Sequence, residues 1–130
     1  MEHPFRRNQV AAPRKRPGSV TAIGWLFIAA GSIGLVYHAS ELETQGPIDY
    51  DVVLVLFVRM LAIIAGVFML RGADWARWLA LLWMAYHVVL SGLHSFSEAV
   101  VHVLLLAVIA FVLLRPAAAA YFRHTGISPE

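Results

Sequence analysis

Four histidines and one arginine lie in stretches of this sequence that are otherwise almost entirely apolar. Arg59 stands alone in one such stretch, whereas His87 and His94 share another and, being seven residues apart, lie on one helix face. His102 follows Glu98 by four residues, so these two side chains also share a face. Imidazoles bind metals, hold haem iron and transfer protons, and a guanidinium binds anions. The sequence therefore predicts that any activity depends on these polar side chains.

The depth of each polar residue can be counted from the end of its apolar run. At about 1.5 Å per helical residue, Arg59, His87 and His102 share one layer, roughly 10–12 Å below the outer membrane surface. A shallower layer contains His38, His94 and Glu98. The outer half of the predicted bundle thus holds the candidate functional residues, and the inner half is nearly all apolar.

Two cofactor hypotheses follow from the histidines. Zinc or copper, as divalent metals, bind imidazole and carboxylate groups, which His94, Glu98 and His102 together supply. A b-type haem takes histidine ligands, and two from different helices at one depth suit it. His87 with His102, or His38 with His87 or His94, would provide such a pair.

Two further hypotheses need no cofactor. Histidines can hydrogen-bond between helices of a small bundle, and Arg59 can bind backbone carbonyls or an acid of the outer connection. The same residues also suit a site for a quinone, a lipid or a proton. Residue spacing alone does not separate these four hypotheses.

Small residues recur on one face of the first apolar run. This face contains Gly24, Gly31 and Gly34, together with Phe27 and His38. The second run has a similar stripe, formed by Ala62 and Gly66 and lying beside Arg59. Small side chains let membrane helices approach closely, so the two stripes predict a helix-packing groove. A groove that admits a flat cofactor or a lipid chain is the functional alternative.

The fold class follows from the length of the apolar runs. Of 130 residues, 60% are hydrophobic and 14% are charged, against about 25% charged in a typical soluble domain. The runs, at residues 20–39, 52–70, 75–93 and 97–115, approach the ~20 helical residues that cross a bilayer. The sequence therefore predicts an all-α, four-helix transmembrane bundle in residues 20–116. A basic arm, residues 1–19, precedes it, and a tail, residues 117–130, follows.

Charge and cysteine usage narrow the function classes. Lysine and arginine collect on the cytoplasmic side of membrane proteins, and here none lies in a predicted outer connection. This predicts an up-down-up-down bundle in the bacterial inner membrane, with both termini cytoplasmic. The basic arm is expected to contact lipid headgroups, and no nucleic-acid partner is expected. The chain has no cysteine, which excludes disulfides and thiol catalysis.

Helix boundaries are marked by capping residues. The expected N-caps are Ser19, Asp49 or Asp51, Asp74, and Ser95 in a capping box with Glu98. Gly72 is expected to end the second helix. Residues 117–123 are expected to form a short interfacial helix with Tyr121 and Phe122 on the membrane.

Three segments carry a resemblance to a known group of proteins. They are residues 16–21 at the start of the first span, 71–79 at the start of the third and 114–117 at the end of the fourth. In these segments the chain resembles small uncharacterised four-helix bacterial membrane proteins. The resemblance implies the fold and the membrane, and it supplies no activity and no site residues.

Three function classes are compatible with the sequence. The leading expectation is a non-enzymatic accessory or interaction subunit of a larger membrane assembly, whose partners are lipids and other subunits or a second copy. The first alternative is a haem- or metal-binding redox protein that uses the outer-half histidines. The second is a small transporter or a lipid- or quinone-binding protein that uses Arg59.

Overall fold

The computed structural model describes residues 15–42 and 49–125, and this part of the protein is all-α. The five helices are α1 (Gly18–Leu42), α2 (Tyr50–Leu70), α3 (Asp74–His94), α4 (Phe96–Leu114) and α5 (Pro116–Thr125). By length and composition, α1 to α4 are each able to cross a membrane. The predicted all-α class with four membrane-length helices is thereby confirmed. Most of the basic arm, the middle of the first connection and the last five residues lie outside the described residues.

Helix α2 is closed at both ends by local hydrogen bonds. Asp49 is its N-cap and accepts the N–H of Asp51 at 2.9 Å, as one of the two expected caps. At the other end Gly72 has a φ of 82°, and its N–H donates to the Met69 carbonyl at 3.0 Å. A side chain strains this left-handed conformation, so glycine is the residue that ends a helix this way.

Two expected caps have different partners. Asp74 is the first residue of α3 rather than its N-cap, and its carboxylate lies 2.8 Å from the guanidinium of Arg77. Ser95 is the N-cap of α4, but its hydroxyl lies 2.9 Å from the hydroxyl of Ser97. The capping box with Glu98 is therefore absent, since the Ser95 side chain accepts no N–H of the first turn.

Helices α1 and α2 pack with their backbones in contact. A Cβ atom on Gly66 would lie 2.5 Å from the carbonyl oxygen of Gly24, and one on Gly31 would lie 2.9 Å from the carbonyl oxygen of Arg59. Ala62, on the same stripe of α2, is fully buried. Small residues at these positions give the close van der Waals packing that holds membrane helices together.

The best-packed part of the core lies at the end of the bundle where α1 begins and α2 and α4 end. The largest fully buried side chains are Phe122, Met69, Leu113 and Val20. Phe122 belongs to α5, so this short helix folds against the bundle instead of placing the ring on the membrane. The expectation of a membrane-facing Phe122 is wrong, because a whole aromatic ring gains more from filling this core than from an interfacial position.

Both ends of the described chain meet on the last residue of α2. The Leu70 carbonyl accepts a hydrogen bond from Arg16 at 2.6 Å and another from the hydroxyl of Tyr121 at 3.0 Å. Beside it, the Arg115 guanidinium donates to the hydroxyl of Ser19, which lies inside α1 rather than capping it. We call these three bonds the inner clamp, because they tie α1, α2, α4 and α5 together at one end.

Candidate functional site

A cavity of about 430 Å³ lies among the four long helices, in the region where the sequence predicted the deeper polar layer. Its polar lining residues are Arg59, His87, Ser91 and His102. Its apolar lining residues are Leu26, Phe27, Ala30, Trp83, Met84, Leu90, Leu105 and Ile109. The cavity thus combines mostly hydrocarbon walls with a few polar groups, which is the usual composition of a small-molecule site.

Arg59 reaches the cavity by crossing the surface of α1 at Gly34. A Cβ atom on Gly34 would lie 2.7 Å from both Cδ and Nε of Arg59. The glycine therefore provides the space through which the arginine side chain runs. Among the side chains that the structure describes, those of residues 15–40 and 49–123, none is a hydrogen-bond or salt-bridge partner of the guanidinium. A positive charge in the membrane region thus has no counter-charge from the described side chains.

Trp83 forms one side of the cavity and is held in a fixed orientation. Its indole N–H donates to the backbone carbonyl of Val58 at 2.8 Å, which joins α3 to α2. Its ring centroid is 5.3 Å from that of Phe27 and 3.8 Å from that of His87. The indole N–H of a partly buried tryptophan usually has a hydrogen-bond partner, and this bond supplies one.

His87 and His102 are the two histidines that the structure brings together. Their ring centroids are 6.1 Å apart with an angle of 26° between the planes. Nδ1 of His87 lies 2.9 Å from the Trp83 carbonyl, which can only accept, so this nitrogen carries the proton in the neutral ring. Nε2 of His87 is then an acceptor that a ligand can use.

His102 is held by two contacts to the same ring nitrogen. Its Nδ1 lies 2.9 Å from the carbonyl oxygen of Glu98 and 2.9 Å from the hydroxyl of Ser91. Ser91 is only 7% exposed, so it is the most buried polar group of the cavity. These bonds fix the imidazole and leave its Nε2 without a backbone bond.

His38 and His94 are not among the lining residues of the cavity. His94 lies at the exposed end of α3, where its Nδ1 donates to the Leu90 carbonyl at 2.9 Å. His38 has its ring against Tyr37, with centroids 5.2 Å apart. Both residues are in the shallower layer, so they lie closer to the helix ends than the cavity does.

The structure does not bring His94, Glu98 and His102 together as a metal-binding group. Among the described residues, no three histidine or carboxylate side chains are placed to hold one metal ion. The break between α3 and α4 at Ser95 separates His94 from the other two residues. The spacing of four residues from His94 to Glu98 therefore does not place them on one helix face. His94 and Glu98 are also both exposed.

The mouth of the cavity opens between α1 and α4. The exposed lining side chains are Leu26, at 55% exposure, and Ala30 on α1, and Leu105, at 43%, on α4. All three are apolar and lie in the interior of membrane-length helices. A molecule that enters here comes from the side, through a mouth whose exposed rim is apolar.

The polar groups of the cavity can bind a ligand through charge and hydrogen bonds. Of the polar lining groups, one is a fixed cation and the others are two imidazoles and a hydroxyl, with no lining carboxylate in the described part of the chain. The sequence identified Arg59, His87 and His102, and Phe27 only as part of the small-residue face. Trp83 was missed, although a tryptophan in mid-span, away from the aromatic belts, is a signal of a buried partner. Comparison of this chain with protein-family models, with curated proteins and with solved structures finds no match.

Proposed function

We propose that this protein is an integral membrane protein that binds a lipid-like, amphipathic molecule in the cavity between α1 and α4. The observation that carries the proposal is the cavity itself: Arg59 and two histidines lie among apolar walls whose mouth is flanked by exposed Leu26 and Leu105. A charged residue inside a membrane protein is costly and usually marks a ligand or ion pathway.

The proposal includes a membrane arrangement. Four helices cross the bacterial inner membrane in up-down-up-down order, with both termini in the cytoplasm. Lysine and arginine near the ends of the helices, such as Arg71 and Arg115, support this orientation. In this orientation the inner clamp is cytoplasmic, and the cavity lies in the outer half of the bundle.

Binding of a lipid-like molecule accounts for more of the structure than a role as an accessory subunit. The accessory hypothesis drew on glycine-rich helix faces that were available to a partner. In the structure Gly24, Gly31 and Gly66 contact the neighbouring helix of the same chain. These faces are therefore used within the bundle, whereas an accessory role gives no reason for a cavity lined by Arg59 and two histidines.

Trp83 provides a native reporter for the test. In a variant with Trp25, Trp75 and Trp78 replaced by phenylalanine, Trp83 is the remaining fluorophore of four tryptophans. All three replaced side chains are about half exposed, so the bundle is expected to tolerate the change. A brominated single-chain amphiphile should then quench Trp83 in a saturable manner.

A pair of neighbouring alanines supplies the matched control. Ala30 lines the cavity, and Ala29 is exposed but outside it. Ala30→Phe should fill the cavity and abolish saturable quenching, while Ala29→Phe should leave it unchanged. Equal quenching in both variants would mean that the amphiphile only coats the outside of the bundle.

A b-type haem is the second candidate, because His87 and His102 meet in one cavity. Each has an Nδ1 within 2.9 Å of a backbone carbonyl, an arrangement that in metal-binding histidines leaves Nε2 for the metal. Purification in mild detergent followed by a visible spectrum tests this candidate. A Soret band that is lost in His87→Ala would establish it, and a colourless protein would exclude it.

A further inference from the structure

We propose that the molecule bound in the cavity is an anion: a single-chain amphiphile whose carboxylate or phosphate is bound by Arg59. This inference rests on the proposed function, and it specifies the headgroup, the number of chains and the route of entry. The first step is the charge of the site. Arg59 is the one lining residue that is charged at every physiological pH, and no lining carboxylate opposes it among the described residues.

The second step is the position of that charge. Because Arg59 runs across Gly34, its Cδ, Nε and Cζ are held against α1. The wall on the other side is Trp83, His87 and Ser91 of α3. An anionic group between them would meet the guanidinium from one side and the Ser91 hydroxyl from the other, because the Trp83 N–H is already bonded to Val58 and Nε2 of His87 is an acceptor. Hydrogen bonds from a guanidinium to an anion are charge-assisted and are among the strong ones.

The third step is the size and shape of the cavity. Its volume of about 430 Å³ is near the lower end of the roughly 300–1,000 Å³ of ligand sites. It therefore accommodates a headgroup and the first part of one chain. The rest of the chain can leave between Leu26 and Leu105, which are exposed and apolar on either side of the mouth.

The headgroups of two anionic classes share this chemistry, namely fatty acids and single-chain phosphates. Both present oxygen atoms that a guanidinium binds with two parallel N–H bonds. A neutral ester or alcohol of the same chain has the same apolar part without the charge. Comparing the affinities of these ligands for the unchanged cavity therefore separates the contribution of the negative charge from that of the apolar chain.

The experiment uses the Trp83 reporter and four brominated ligands with the same chain: the acid, its methyl ester, the alkyl phosphate and the alcohol. We expect the acid or the phosphate to bind at least tenfold more tightly than the ester and the alcohol. The ratio of the affinities for the acid and the phosphate shows which of the two anionic classes the cavity binds. Arg59→Gln should remove this preference and leave the affinity for the ester unchanged, and Arg59→Lys should retain part of it.

Two controls distinguish the possible failures. Arg123→Gln makes the same chemical change at an exposed position outside the cavity and should have no effect. If the acid and the ester bind equally well to the protein with Arg59 intact, the bound molecule has no need of an anionic headgroup and this inference is wrong. The proposed function would then still stand. If no ligand quenches Trp83, the proposed function itself is wrong. The ligand comparison does not depend on whether Arg59→Gln folds.

Discussion

The carbonyl oxygen of Gly24 on α1 lies 2.5 Å from the position that a Cβ atom of residue 66 on α2 would occupy. The obstacle is backbone, which cannot rotate away as the end of a side chain can. The two helices therefore have no spare distance at this crossing. The pairing of α1 and α2 is therefore sensitive to any atom added at this contact.

Gly66→Ala is expected to destabilise the protein by about 1–3 kcal/mol, because the added methyl group must push the two helices apart. The matched control is Gly92→Ala in α3, where no described atom outside the local helix lies within 4 Å of the new Cβ. That change should be neutral or stabilising by up to about 1 kcal/mol. Denaturant unfolding in detergent measures both, and equal effects would contradict the close contact.

Trp83→Phe is expected to destabilise the bundle by about 1–2 kcal/mol. The substitution removes the bond from the indole N–H to the Val58 carbonyl, and bonds of this kind between membrane helices are worth roughly this much. Trp25→Phe is the control, since Trp25 is 59% exposed and its indole has no hydrogen bond among the described residues. The free energy of unfolding should fall in the first variant and stay within about 0.5 kcal/mol in the second.

Arg16→Gln and Tyr121→Phe are expected to be coupled, because both side chains donate to the Leu70 carbonyl. Each single change leaves that oxygen with one side-chain donor. The double change removes both, so its cost should exceed the sum of the single costs by about 0.5 kcal/mol or more. Arg16→Gln combined with Trp25→Phe should instead be additive, and additivity in the first pair would argue against the inner clamp.

Reporter fusions test the proposed orientation. A reporter that is active in the cytoplasm should be active when fused after Glu130, because basic residues near Arg115 favour the inner side. A reporter that needs the periplasm should be active when inserted in the first connection, between α1 and α2. A periplasmic signal at Glu130 would invert the bundle and place the inner clamp outside.

The sequence predicted the helices better than the contacts between them. Apolar runs of about 20 residues leave little choice of secondary structure in a membrane, because every backbone group must find a partner within the helix. Depth counting also placed Arg59, His87 and His102 in one layer, and all three line one cavity. Depth depends only on the rise per residue, which is nearly constant.

Rotation of the helices and their packing partners were harder to predict. His38 and His94 have the right residue type, but they lie near helix ends beyond the cavity. Phe122 was expected on the membrane because residues 117–123 were expected to form an interfacial helix, yet its ring is fully buried. An aromatic residue in a membrane protein is compatible with lipid and with core, so only the position of neighbouring helices decides.

The inner clamp also has a consequence for biosynthesis. Leu70 and Tyr121 are 51 residues apart, so at ~5–20 residues per second translation takes about 3–10 s to make the second after the first. Throughout that interval α1 and α2 can already pair, while the Leu70 carbonyl at this end of the nascent bundle still lacks its second donor, Tyr121. Insertion of α3 and α4 therefore takes place before the bundle is closed at that end, and α5 completes the assembly.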